Sequence, residues 1–319
     1  MSRRYGAIIH PDELNMRWLE RAHAAGINVL GLHPVGGVHA DESLRAMIED
    51  EFLPERRALY ARARELGMDI EYEMHALSYL LPRRMFDVQP DWFRMNEQGA
   101  RVADFNFCPS NRDALEYISG RAALLAQVFR PTTGRYYFWL DDVHGAACHC
   151  PKCREFTPSD QQLIAVNAML SGIRSVNPRA KLAYIAYNDA MQVPRAVRPA
   201  ESVFLEYAPI NRDSNRPMSD PDCAQNTSEV MPVKALLNFF GRQDSQVLEY
   251  WIDNSRFSNW TKPPKHMTLN EEVMRKDVAF YRELGFESLT SFACYLGEDY
   301  YALYGEPPVQ RYGEILCGM

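Results

Sequence analysis

The chain has 319 residues, 46% hydrophobic and 24% charged, with a net charge of −7. That composition belongs to a globular, enzyme-sized protein, and the negative charge argues against nucleic acid as a partner. No apolar run approaches the ~18 residues of a membrane span, so no membrane partner is expected; Met1 to Gly6 lacks the apolar core of a signal peptide, which points to the cytoplasm.

Apolar runs alternate with helical patterns from end to end. Ala7-Ile8-Ile9 reads as a first strand, followed by a helix carrying Leu14, Trp18, Leu19 and Ala22 and stopped at Gly26. Ile27 to Leu32 is the second strand. One long helix is expected next, with Leu44, Met47, Ile48, Phe52, Leu59 and Leu66 on one face and Gly67 closing it. Met68 to Met74 is the third strand. An irregular excursion over about 77–109 and a helix over roughly 111–129 lead to a fourth strand at Tyr136 to Leu140. Leu163, Val166, Leu170 and Ile173 mark another helix. Leu182 to Tyr187, Val203 to Tyr207, Val247 to Ile252 and Ser288 to Cys294 read as strands five to eight, with helices around 228–242 and 271–284. Eight strands alternating with helices predict an α/β fold, a single (β/α)8 TIM barrel over residues 1–319. An open doubly wound sheet would call for a Gly-rich phosphate fingerprint, which the sequence lacks.

The chemistry gathers at predicted strand ends, where barrel enzymes keep their sites. The aromatic run of strand four ends in Asp141-Asp142. Adjacent strand-end carboxylates serve acid/base work; a helix-capping Asp with a solvated neighbour is the structural alternative. On strand seven, Glu249, Trp251 and Asp253 share a face by period two. A Glu inside an apolar strand needs a function or a buried Arg partner. Glu206 on strand six and Glu73 with His75 on strand three add to the set. Carboxylates delivered by four strands suit hydrolysis of a glycosidic bond. Cys148, Cys150 and Cys153 have C-x-C-x2-C spacing, which with Cys108 as fourth ligand can hold one structural zinc in a closed thiolate site, His144 and His149 being alternative ligands; reduced thiols packed in a loop are the other reading. Trp260, in the polar stretch Ser258-Asn259-Trp260-Thr261, reads as a sugar platform.

Several segments resemble a bacterial domain family long labelled of unknown function and related to TIM-barrel glycoside hydrolases. They are Glu73-Met74-His75-Ala76-Leu77, Gln89-Pro90-Asp91-Trp92-Phe93, Gly99, Phe107-Cys108-Pro109-Ser110-Asn111, Asp142, Cys148 to Cys153, Pro209 to Arg212 and Glu249-Tyr250-Trp251. The resemblance covers about residues 70–295. It implies kinship with endo-β-N-acetylglucosaminidases, with α-glucuronidases as relatives. The Asp141-Asp142-Val143 segment departs from the family's Asn-Asp-Gly. It is similar instead to the paired Asp of O-GlcNAc-type β-N-acetylglucosaminidases, where the first orients the substrate acetamide and the second is the acid/base.

The sequence therefore predicts a glycoside hydrolase for a small saccharide containing an N-acetylhexosamine. Asp142 is the expected acid/base, Asp141 the acetamide partner and Glu249 the second carboxylate. His75, Asn188, Glu206, Arg212, Trp251, Asp253 and Trp260 are the substrate-contact candidates. No catalytic cofactor is expected, and the pattern carries no signal for an oligomeric state. The alternatives are a non-catalytic saccharide-binding barrel with a structural zinc, and an α-glucuronidase-like inverting hydrolase in which Arg212 holds the substrate carboxylate.

Overall fold

The computed structural model describes residues 3–318. In chain order, β1 (Arg4–Ile9) leads to α1 (Met16–Ala24), β2 (Val29–Leu32), α2 (Ala40–Asp50) and α3 (Pro54–Glu65). Then come β3 (Asp69–His75), the short α4 (Leu77–Leu80) and α5 (Arg112–Val128), followed by β4 (Arg135–Trp139), α6 (Pro158–Val176), β5 (Lys181–Ala186) and β6 (Val203–Tyr207). The chain closes with α7 (Ala224–Val230), α8 (Val233–Phe240), β7 (Gln246–Glu249), α9 (Asn254–Phe257), α10 (Glu271–Leu284), β8 (Ser288–Phe292), α11 (Glu298–Tyr304) and α12 (Val309–Cys317). Hydrogen-bonded neighbours run from β1 to β8 in sequence order and β8 returns to β1, with Arg4 opposite Ser288 and Phe292 opposite Ile8. This is the closed parallel (β/α)8 barrel. Its strands are largely buried on both faces, so β2 and most of β4 read as apolar runs, while β3 and β8 bury polar residues such as Glu71, Glu73, Ser288 and Thr290.

Three sequence expectations are corrected. The single helix expected from Leu44 to Leu66 is two, α2 and α3, because Pro54 cannot sit inside a continuing helix and instead opens the next one. Phe52, placed on its buried face, is 55% exposed. The helix expected around 228–242 is likewise divided at Pro232. Strand seven ends at Glu249, not Ile252, so the period-two face shared by Glu249, Trp251 and Asp253 does not exist.

The β5–β6 connection carries only one 3₁₀ turn, Asn188–Ala190. Side chains of α6 supply what a helix would have satisfied. Asp160 Oδ1 accepts from the amides of Arg195, Ala196 and Val197, and Asn167 bonds Arg198 and Ala200. α6 also packs so closely on α5 that a Cβ on Gly172 would run into the Ser119 carbonyl.

Contacts gather the residues into two compact units. One holds Met1–His33, Phe52–Glu71 and Leu205–Met319; the other holds Pro34–Glu51 and Tyr72–Phe204. No helix among the described residues is long and apolar enough to cross a membrane.

Candidate functional site

In the second unit, the chain leaves β4 after Trp139, and both aspartates lie beyond the paired strand. Asp141 turns into the protein. Its Oδ1 accepts from the Ser78 amide (3.0 Å) and its Oδ2 from the Asn106 amide (2.6 Å) and Arg83 Nη2 (3.3 Å). Its side chain is only 5% exposed. Asp142 is half-buried, and Tyr187 donates its hydroxyl proton to Oδ1 at 2.8 Å. The other oxygen, Oδ2, borders the space left by Gly36, where a Cβ would lie 3.8 Å from it. That same Cβ would stand 3.1 Å from His75 Cδ2, so a side chain at this position would crowd the imidazole. His75 Nδ1 lies 2.6 Å from the Leu140 carbonyl. A carbonyl only accepts, so Nδ1 carries a proton. The ring stands edge-on to Trp139 at 5.0 Å.

A cavity of about 60 Å³ runs behind this strand end, lined by Leu140, Asp141, Tyr187 and Asn188 among others. Asn188 has left-handed backbone, φ +48°. Its Oδ1 is buried and meets no hydrogen-bond donor among the described residues. A larger cavity of about 430 Å³ lies on the other side of Asp141, flanked by Ser78, Arg83, Arg84 and Arg45.

The first unit holds Glu206, Glu249 and Asp253. Glu249 is fully buried. Arg212 Nη1 lies 2.6 Å from both Glu249 Oε1 and Asp277 Oδ2, and the Tyr281 hydroxyl donates to Glu249 at 2.5 Å. Burial raises the Glu249 pKa even though Arg212 opposes the shift. Trp251 donates its indole N–H to Asp277, not to a ligand. Two carboxylates thus press on the Arg212 guanidinium, which together with Glu249 and Trp251 lines a cavity of about 110 Å³. Glu206 accepts from Gln246 within the barrel. Asp253 caps α9, accepting from Ser255 and Arg256, and burial raises its pKa. Trp260 is 67% exposed on consecutive left-handed residues, Asn259 and Trp260.

The sequence reading missed a polar cluster at the ends of β1, β2 and β8. His10 and His33 stack at 6.0 Å, Tyr295 stands 5.8 Å from His10, and Glu13 accepts from the amides of His10 and Gly297. The available signal was a polar residue immediately beyond each apolar run, His10 after Ile9 and His33 after Leu32.

The four cysteines converge in the second unit. Sγ atoms of Cys108, Cys148, Cys150 and Cys153 all lie within 4.8 Å of one another and are buried. Cys108 Sγ is 3.7 Å from Cys150 and 3.8 Å from Cys153. A zinc tetrahedron with bonds of about 2.3 Å has sulfur–sulfur edges of about 3.8 Å, so the donor set fits that ion. The supporting shell also fits. The Met95 amide donates to Cys148 Sγ at 3.3 Å, Arg101 Nη1 approaches the same sulfur at 3.8 Å, and Ser110 Oγ is 3.0 Å from Cys153. Gln161 bonds both the amide and the carbonyl of Cys148, holding the loop in shape. Hydrogen bonds from Cys148 and Cys153 hold the Cys108 thiol well below its ordinary range, and the same sharing pushes Cys148 up to about 11.

The closed parallel sheet with its intervening helices is a (β/α)8 barrel. The chain belongs to the family described as a domain of unknown function, DUF4838, whose model matches residues 54–295. No curated protein matches it. Among solved structures, it is similar to a β-galactosidase from the psychrophilic Marinomonas ef1, at 10% identity and TM-score 0.57, over 99% of this chain and 59% of that one. A β-galactosidase from Bacillus circulans sp. alkalophilus matches at 12% identity and TM-score 0.53, over 91% of this chain and 50% of that one. The chain thus spans between half and three-fifths of these two enzymes. A pneumococcal exo-β-D-N-acetylglucosaminidase with tandem GH20 catalytic modules matches at 11% identity and TM-score 0.53, over 99% and 84%. At these identities the likeness shows the fold.

Proposed function

We propose that this protein is a glycoside hydrolase for a saccharide containing an N-acetylhexosamine, with Asp142 as its acid/base. The observation that carries the reading is the Asp142–Tyr187 pair, in which one carboxylate oxygen is fixed by a hydroxyl and the other faces Gly36, a residue with no side chain. Protonated Asp142 gives its proton to the glycosidic oxygen as the anomeric C–O bond breaks, and the bonding pair leaves with the alcohol. The carbonyl oxygen of the sugar's own 2-acetamido group attacks the anomeric carbon from the opposite face, closing a cyclic oxazolinium. Asp142, now a carboxylate, takes a proton from the water that reopens this ring, so configuration is retained. Such substrate-assisted hydrolysis requires no protein nucleophile, in keeping with the confinement of Glu249 by Arg212 and Tyr281. The unbonded Asn188 Oδ1 provides an acceptor for the acetamide N–H, a role the engaged carboxylate of Asp141 does not fill. The four thiols hold a structural zinc, outside the chemistry. A reducing compartment keeps them metal-competent, which supports a cytoplasmic location.

The test is turnover on a panel of aryl glycosides. N-acetylglucosaminides and N-acetylgalactosaminides should be cleaved far faster than the matching sugars without the acetamide. Turnover of none of them, or a preference for the plain sugars, overturns the reading.

A further inference from the structure

We propose that Asn106 is the positioning residue through which the cysteine centre sets the aim of Asp142, an inference that rests on Asp142 being the acid. Asn106 has left-handed backbone, φ +50°, a conformation that asparagine tolerates better than most residues. All four of its polar groups are engaged. Its amide donates to Asp141 Oδ2 at 2.6 Å, and its Oδ1 accepts from the Asp141 amide at 3.1 Å. Its Nδ2 donates to the Ala146 carbonyl at 3.2 Å, and its own carbonyl accepts from Arg83 Nη1 at 2.8 Å. Arg83 closes the ring by reaching Asp141 Oδ2 with its other terminal nitrogen.

The placement of these bonds gives them their consequence. Cys108 lies two residues beyond Asn106, and Cys148 two residues beyond Ala146. The segments that bring thiols together are therefore the same ones that Asn106 ties to the end of β4. If Cys108 and Cys148 separate, Asn106 and Ala146 separate with them. The reciprocal Asn106–Asp141 pair then loses a support, and Asp142 is the next residue along the chain. A misplacement of about 1 Å at a reacting group costs on the order of 10²-fold in rate.

The test uses the full chain carrying its metal and the variant Asn106→Gly, which keeps the left-handed backbone and removes both side-chain bonds. Zinc should stay at the wild-type stoichiometry. On unactivated glycosides kcat should fall by about 10–10²-fold with KM unchanged, and the basic limb of the pH profile should shift. A second arm reads hydrogen exchange. Stripping zinc from the wild type with a mercurial should speed exchange at the amides of Asp141 and Asp142 while α10 stays protected, and Asn106→Gly with zinc bound should do the same. Wild-type kcat and pH profile in Asn106→Gly overturn the proposal, as does exchange at 141–142 that ignores metal removal. If the wild type cleaves no glycoside, the proposed activity fails, while the exchange arm still decides whether the centre and the strand end are coupled.

Discussion

Asp141 and Asp142 are neighbours with opposite duties, and substitution separates them. Asp142→Asn keeps the shape and the Tyr187 contact but removes the transferable proton. Turnover of unactivated substrates should fall by about 10²–10⁴-fold, and less for activated leaving groups, in steady-state kinetics on an aryl glycoside series. An unchanged rate would make Asp142 a structural group. Asp141→Asn turns an amide toward a site built from donors, the amides of Ser78 and Asn106 and the Arg83 guanidinium. It should cost about 1–3 kcal/mol in urea unfolding and slow acetylated and plain sugars alike. A selective loss on N-acetylated sugars would restore the acetamide role that the sequence suggested. Glu249 poses the same question. Arg212→Met strands two buried carboxylates and should cost about 3–5 kcal/mol, whereas Glu249→Gln should retain turnover. Loss of turnover at an unchanged melting temperature would give Glu249 a chemical role. The sequence made these carboxylates visible by setting them among apolar neighbours. It concealed their partners, because Ser78, Asn106 and Asp277 arrive from distant segments with no local pattern of their own.

Among the elements, the eight strands were legible because strands buried on both faces are rich in apolar residues even where, as in β3 and β8, they also bury polar ones, and because helical patterns alternate with them. Less legible were places where one proline decides between one helix and two, as at Pro54, and where α6 side chains replace a missing helix after β5. In the segment Cys108-Pro109-Ser110-Asn111 the sequence assigned a task to Cys108 alone, and Ser110 and Asn111 were noted only as a family likeness, yet each polar member has a physical task. Cys108 joins the thiol cluster, Ser110 bonds Cys153, and Asn111 caps α5 through the Ala114 amide. This compact loop with converging sulfurs should bind one zinc per chain, measured by elemental analysis of protein purified without chelator. Cys153→Ser should lose the metal and lower the melting temperature, since a four-thiolate site contributes directly to folding. Zinc-free wild-type protein that melts at the same temperature as the loaded form would leave the cluster as packed thiols.

At the scale of the molecule, several carboxyl groups are held in the interior, and this gives stability a definite dependence on pH. Glu13 is the clearest case. Burial raises its pKa from 4.5 to about 7, even though the His10 and Gly297 amides donate to it and favour the charged form. Burial pushes the carboxyls of Glu229, Glu249 and Asp253 in the same direction. A folded-state pKa above the unfolded one means that the native protein binds the proton more tightly. The stability from Glu13 is therefore fully present below the unfolded value, declines as pH rises, and is gone once pH passes about 7. A shift of this size corresponds to about 3 kcal/mol. Urea unfolding of the wild type should show stability falling between pH 5 and 8. Glu13→Gln should flatten most of that slope and sit below the wild type at pH 5, because its NH₂ group meets one of the two donor amides. A Glu13→Gln protein that keeps the full slope would move the effect to Glu249 and Asp253, whose substitution by Gln and Asn would then remove it.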